Sequence, residues 1–461
     1  MNYGFFFAPD NSNVISRIGL TLGIVERHEL TIGPLADYTI DRALVGGAYY
    51  SDKAPGLSFL AVPVTFVADR LLRWRATGRT VDRPGPFLSV IIYCATLGTV
   101  SLIAAGAVAA LYNWCRSRNA SHAGSVLAAV TLGFATPFWG WASVFFGHAA
   151  SGGLLLLGFA EISTAVQLSR PRHWRSMLRA SLAGLALGAA FVVEFPAGPV
   201  VAIIGFCCAG WALAKPDRWS LMTRVFVPAA AGLAAAIVPL LLYNLVAFGS
   251  PWKIGYMGVQ GFPGMETGLL GVSWPSFKVA VELLFGWNRG LLPLAPVMAL
   301  FPVAVIVCIR EPPWRLVAIV AVLVFAYYLA MNAGYVYWNG GDSTGPRHLV
   351  AALPFMALPF ARLWDASRRP MRVILIPLLI ASILLSLVCV SVDMWISPDF
   401  HRPIFEALGP RFLYGDLDRA LTFRLLGMNR VVALLPLAAV WLIVGWPVLR
   451  PRENVVMNAS G

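Results

Sequence analysis

Long apolar runs separated by short polar connections dominate the chain from residue 87 to residue 449. A helix that crosses lipid needs ~20 mostly apolar residues, because without water every backbone N–H and C=O must be paired inside the segment. The runs predict about eleven such helices, over 87–111, 123–141, 149–168, 180–193, 199–214, 225–248, 291–309, 316–331, 349–361, 373–395 and 431–448. Proline and glycine recur within them, as membrane helices tolerate. The pattern breaks in residues 1–86 and in three longer connections, 249–290, 332–348 and 396–430. The fold class is therefore an all-α, polytopic transmembrane helix bundle with outer-face juxtamembrane helices.

Charge orients the bundle. Only 12% of residues are charged, about half the share of a soluble domain. The net charge of +13 is nearly all arginine, with Lys53, Lys215, Lys253 and Lys278 the lysines. In a soluble protein that excess would suggest nucleic acid. Here it sits in short connections, as topology signals, and no nucleic-acid partner is expected. One alternating set of connections carries Arg116/Arg118, Arg170/Arg172/Arg175/Arg179, Lys215/Arg218/Arg224, Arg310/Arg315, Arg368/Arg369/Arg372 and Arg450/Arg452. The positive-inside rule makes that set cytoplasmic. Residues 1–86 and the three long connections then lie outside, residues 450–461 form a cytoplasmic tail, and the expected location is the inner (plasma) membrane, with any active site facing the periplasm or cell exterior. An outer residue 1–86 region also implies a first membrane helix ahead of it. No secretory signal pattern opens the chain. The six cysteines show no disulfide framework or metal-ligand spacing.

Within residues 1–86, Gly56 to Leu72 is apolar but interrupted by Pro63 and Asp69. It reads as a helix at the interface, with Arg70, Arg73 and Arg75 reaching lipid phosphates. Glu161, deep in the third predicted span, is expected to pair with a neighbouring helix.

The outer segments hold the residues capable of chemistry. Tyr49-Tyr50-Ser51-Asp52-Lys53-Ala54-Pro55-Gly56 puts a rare lysine beside a carboxylate at membrane depth, where a compact ammonium can grip a lipid phosphate; an interfacial anchor is the competing account. The run Tyr335 to Leu349 offers Tyr335 and Trp338 as a sugar-stacking surface, glycines for close backbone approach, and Asp342, Arg347 and His348 for polar and anionic groups. An aromatic belt around a turn would look similar. Arg289, before the helix that starts at Leu291, can share a phosphate load or simply snorkel. His148 and Glu194 fall at outer helix ends, where either can be functional or a structural hydrogen-bonding group. Asp10, Asp37, Asp41 and Asp52 are the outer carboxylates able to act as a general base. No P-loop, nucleophile elbow, HExxH or dinucleotide fingerprint occurs at a suitable place, which argues against ATPase, hydrolase and protease chemistry.

Taken together, the long first outer segment, the Lys-X-Pro element at Lys53 to Pro55, the outer His148 and the outer arginines Arg289 and Arg347 resemble the GT-C superfamily of membrane glycosyltransferases, the group of the protein O-mannosyltransferases and the lipid A aminoarabinose transferases. The resemblance implies transfer of a sugar from a polyprenyl-phosphate carrier to an envelope glycan, lipid or protein acceptor on the non-cytoplasmic face. It implies a first-loop carboxylate as base, for which Asp10 in Pro9-Asp10-Asn11 is the similar position. Asn11 stands where the family usually has a second acid, so Asp41 and Asp52 stay in contention. By the same resemblance Lys53 holds the carrier phosphate, Arg289 or Arg347 with His348 neutralises it, and His148, Glu194, Tyr335, Trp338 and Asp342 line the sugar or acceptor pocket. Some members of that superfamily use a divalent metal; no ligand cluster in this sequence demands one. A transporter or flippase for a lipid-linked intermediate is the alternative. It would favour repeated halves and ionisable groups within the spans; no repeat is found, and the candidate groups here cluster in the outer loops.

Overall fold

The computed structural model describes residues 2–8, 10–75, 81–167, 173–259 and 261–449. Among these residues it is a helical bundle whose one sheet is a two-stranded hairpin.

The membrane helices are α3 (Pro86–Ser117), α4 (His122–Phe134), α5 (Gly147–Gln167), α6 (His173–Val193), α7 (Gly198–Leu213), α8 (Val227–Phe248), α10 (Phe301–Arg310), α11 (Pro312–Gly334), α12 (Leu353–Ala357), α13 (Phe360–Ala366), α14 (Arg369–Val392) and α15 (Leu435–Leu449); α9 (Phe277–Phe285) lies in the outer connection before α10. Over the described residues each of the eleven apolar runs is mainly helical, with breaks inside several of them. Seven helical segments are long and apolar enough to cross a bilayer alone, and the stretch through α12 and α13 makes an eighth, bent by 41°. The segments 122–134, 296–310 and 431–445 are shorter than a crossing requires. Prolines explain one of these. Pro293, Pro296 and Pro302 split the run that begins at Leu291 into a single turn, a 3₁₀ stretch and α10.

Small residues set the packing. Gly184 and Gly188, one helical turn apart on α6, press on the backbone of α8 at Ala229 and Leu233, and Gly232 of α8 presses back on Ser181. A side chain at any of these glycines would push the two helices apart. Lipid supplies little hydrophobic driving force between helices, so such close approach carries the association. Glu161 pairs with Arg179 of α6 at 3.2 Å, as its depth in the sequence suggested.

The helix ends separate into two faces. Arg118 donates to Ser163 O, Lys215 to Val166 O, Ser121 is bound to Asp365, and Arg362 pairs with Glu311, so these arginine-bearing ends share one face. The opposite face gathers the start of α5, the end of α6, the end of α11 and the connection before α12. This is the alternation that the arginine pattern predicts. The tail 450–461, Arg170 and Arg172, and the side chains of Arg73 and Arg75 lie outside the described residues.

On the second face, residues 2–75 form a cap. It contains α1 (Ser12–Leu22), β1 (Arg42–Val45), β2 (Ala48–Ser51) and α2 (Gly56–Arg75). Asn11 caps α1 by accepting from Val14 N at 3.0 Å. The hairpin pairs Arg42 with Ser51 and Val45 with Ala48 across Gly46-Gly47, both at positive φ, which glycine adopts without strain. The helix α2 covers the expected interfacial segment and is not apolar enough to count as a span. Arg70 stacks on Phe66 within it, at 5.2 Å.

Candidate functional site

The cap hairpin delivers the centre of the site. Asp41 enters β1 and Asp52 leaves β2, so strand pairing brings two carboxylates 11 residues apart to one end of the hairpin. Lys53 fills the gap between them. Its Nζ lies 2.9 Å from Asp41 Oδ1 and 2.9 Å from Asp52 Oδ2. The Tyr256 and Phe262 rings stand 5.5 and 5.8 Å from the ammonium, and the backbone at Gly255 presses on Asp52. Ser16 and Ser51 share a hydroxyl hydrogen bond of 2.8 Å, and Ser12 Oγ accepts from the backbone N–H of Ile40 and Asp41, so α1 fixes both strands.

Burial raises the energy of each charge in this cluster, and the pairing offsets it unevenly. The Asp52 side chain is 1% exposed, with Oδ1 buried and unpartnered. Burial pushes its carboxyl up to about 6, against the pull of Lys53. Burial also opposes the charge on Lys53, but Asp52 and Asp41 outweigh it and hold the amine above its ordinary range, so it stays an ammonium.

A second pair supports the first. Arg17 of α1 is fully buried; it donates to Glu194 Oε1 at 2.7 Å, to Asn13 Oδ1 at 2.9 Å and to Ala54 O, beside Lys53, at 3.2 Å. The same Glu194 oxygen lies 3.9 Å from His148 Nδ1. The His148 and His348 rings are 5.2 Å apart, Tyr335 lies 5.4 Å from His348, and Arg347 sits over Phe146 at 5.5 Å. His348 Nε2 and Arg347 Nε are buried without a hydrogen-bond partner. Asp41 is the carboxylate whose charge acts most strongly on Arg347. Three cations, Arg17, Lys53 and Arg347, therefore face three carboxylates, Asp41, Asp52 and Glu194.

The structure thus gathers Asp41, Asp52, Lys53, His148, Glu194, Tyr335, Arg347 and His348 into one cluster of contacts. Asp10 is half-buried two residues before Ser12, outside the Lys53 cluster. Asp37 is exposed and lies 3.8 Å from Arg42. Trp338 packs on the apolar core, and Asp342 is exposed. Arg289 is wholly buried and commits its guanidinium to Asn339 O, Gly341 O and Ile396 O, each at 3.0 Å. It ties down the loop that presents Arg347. Sequence reading missed Arg17, Tyr256 and Phe262. A lone arginine in the apolar run Val14 to Leu22 was the available signal for Arg17; nothing local marked the two rings.

Among the described residues, no group of three or more His, Cys, Asp or Glu can hold a metal ion. The carboxylate pair best placed to do so already holds the Lys53 ammonium.

Fold and site together define a multi-pass membrane protein with a buried cluster of paired charges at one face of its bundle. No family model and no curated protein sequence matches the chain. Among solved structures it is similar to ArnT from Cupriavidus metallidurans bound to undecaprenyl phosphate, with a TM-score of 0.52 and 14% identity over 82% of this chain and 59% of that one. It is also similar to the oligosaccharyltransferase of Archaeoglobus fulgidus in its apo form, with a TM-score of 0.50 and 13% identity over 83% and 52%. Both are GT-C superfamily membrane glycosyltransferases, and the chain has their fold. It spans little more than half the length of each.

Proposed function

We propose that this cluster transfers a sugar from a polyprenyl-phosphate carrier to an acceptor on the face of the bundle where it lies. The observation that carries this reading is the Lys53 ammonium held between Asp41 and Asp52, with Arg347, whose Nε is buried and unpartnered, in the same cluster. That arrangement suits a phosphodiester whose anionic charge grows as the sugar departs. Two of the three ammonium donors are engaged by carboxylates, leaving one for a phosphate oxygen. Arg347 Nε and His348 Nε2 supply further polar contacts. Groups already fixed and desolvated stabilise developing charge without reorganising.

Asp41 is the base in this proposal. It is buried less deeply than Asp52 and is coupled to both Lys53 and Arg347. Its carboxylate takes the proton from the acceptor hydroxyl or amine, whose lone pair forms the new bond to the anomeric carbon. The bond from that carbon to phosphate oxygen breaks, and the carrier phosphate leaves with the electron pair. Asp52 and the Arg17–Glu194 pair hold Lys53 and its loop in register, while His148 and Tyr335 border the space for the sugar.

The test is transfer of label from synthetic polyprenyl-phosphate sugars in proteoliposomes, comparing the native chain with Asp10→Asn, Asp41→Asn, Asp52→Asn and Lys53→Ala. Transfer that survives Asp10→Asn but not Asp41→Asn or Lys53→Ala supports the proposal. Loss with Asp10→Asn alone moves the base to Asp10. Lipid movement across the bilayer without transfer replaces the reading with a flippase.

A further inference from the structure

Two carboxylates from opposite strands of a hairpin, with a buried unpartnered oxygen on one of them, make a donor set of the oxygen type that hard divalent cations prefer. In this chain the centre of that set is filled. The Lys53 Nζ stands 2.9 Å from an oxygen of each acid. Metal–oxygen bonds to Ca²⁺ or Mg²⁺ run about 2.0–2.6 Å, so a cation placed between the same oxygens would coincide with the ammonium. Arg347 adds further positive charge nearby, and a second dication beside Lys53 would be strongly disfavoured.

We propose that Lys53 is a built-in cation, occupying the seat between Asp41 and Asp52 that a divalent metal would take, so that its removal opens a latent metal site. The inference rests on the transferase reading for its consequence, since the ammonium then meets the carrier phosphate in place of a metal ion. Its structural content stands apart from that reading. The ammonium is covalently tethered and needs no recruitment, and it carries one positive charge where a metal would carry two. With Lys53 replaced by an apolar residue, the two acids face one another in a buried site with no counter-ion between them, and a divalent cation becomes their natural partner.

The experiment uses the full-length chain in detergent and in proteoliposomes, with Mn²⁺ as the probe. Mn²⁺ binding is read by electron paramagnetic resonance, and label transfer is read with and without EDTA. The native chain is expected to take up no stoichiometric Mn²⁺ and to keep its transfer rate in EDTA. Lys53→Ala and the bulkier Lys53→Met are expected to bind one Mn²⁺ each, to lose that binding when Asp41→Asn is added, and to regain part of their lost transfer with Mn²⁺. Stoichiometric Mn²⁺ on the native chain, or native transfer abolished by EDTA and restored by Mn²⁺, overturns the proposal. So does a folded Lys53 variant that binds no Mn²⁺. If neither variant folds, the native-chain measurements decide. Binding is measured without any sugar donor, so a chain that transfers nothing yet gains Mn²⁺ only on losing Lys53 defeats the transferase reading and leaves the cation seat intact.

Discussion

Two kinds of buried cation sit side by side in this protein, and they differ in what remains unpaired. Arg419 is 1% exposed and gives Nε to Phe7 O, Nη1 to Val390 O and Nη2 to Ser143 Oγ, each at 2.9 Å; Arg289 is caged by three carbonyls in the same manner. Burial lowers Arg419 to about 9 and Arg289 to about 10, so both stay charged at neutral pH. These side chains fasten loops together. Arg419 in particular ties residues 6–8 to the segment before α15. In the Lys53 cluster, by contrast, Arg347 Nε, His348 Nε2 and Asp52 Oδ1 are buried with nothing to bind. An orphaned buried polar group costs ~1–3 kcal/mol, so these three weaken the fold where the two caged arginines strengthen it. Arg27, Arg118 and Arg372 also leave a buried Nε unpaired, so neither burial nor one orphaned donor singles out an arginine; what distinguishes Arg347 is the orphaned His348 Nε2 next to it in the chain and the pull of Asp41 on its charge.

The comparison breaks if the two kinds of cation respond alike to substitution. The largest effect is expected from Arg419→Ala and Arg289→Ala. Each strands several carbonyls, and at ~1–3 kcal/mol per group either variant should sharply lower the melting temperature and the yield of folded protein. Arg347→Ala is next: label transfer should fall by about 10²–10³-fold, the scale for losing one preorganised charge-stabilising donor, while the melting temperature stays near the native value. Equal loss of stability in both sets would erase the distinction. Glu194→Gln should be intermediate, weakening the Arg17 pair and leaving a buried guanidinium short of charge. A double-mutant cycle with Arg17→Gln, read by thermal melting, should return a coupling of about 1–3 kcal/mol. Independent, additive losses would show that the pair positions nothing.

The smallest effect concerns pH. The Asp52 carboxyl is raised to about 6 by burial, so the folded chain holds its proton over a range where the unfolded chain has released it. Stability from this group is therefore present at low pH and is lost as pH rises between about 4 and 6, with no further change above. Asp52→Asn should flatten that part of the pH–stability curve, measured by melting from pH 4 to 7. An unchanged slope would place the titration elsewhere.

Some of this was legible in the linear chain. Apolar runs of membrane length, and arginine-rich short connections alternating with short ones that lack Lys and Arg, point to a multi-pass bundle and its two faces, because the cost of unpaired backbone and of charge in lipid acts locally. Lys53 beside Asp52 was visible for the same reason: a lysine is conspicuous where charge is scarce. Chain pattern could not choose among Asp10, Asp37, Asp41 and Asp52, since each is only an acid in an outer segment. The hairpin across Gly46-Gly47 sets Asp41 against Lys53 and leaves Asp37 in solvent, a difference with no trace in the chain pattern. Tertiary contacts likewise separate Arg347 from Arg289, which look equivalent in sequence, because pairing with carbonyls 50, 52 and 107 residues away has no local signature. Hydrophobic length and charge placement are properties of a segment. Whether a buried charge is satisfied depends on which distant backbone arrives beside it, and only the folded chain decides that.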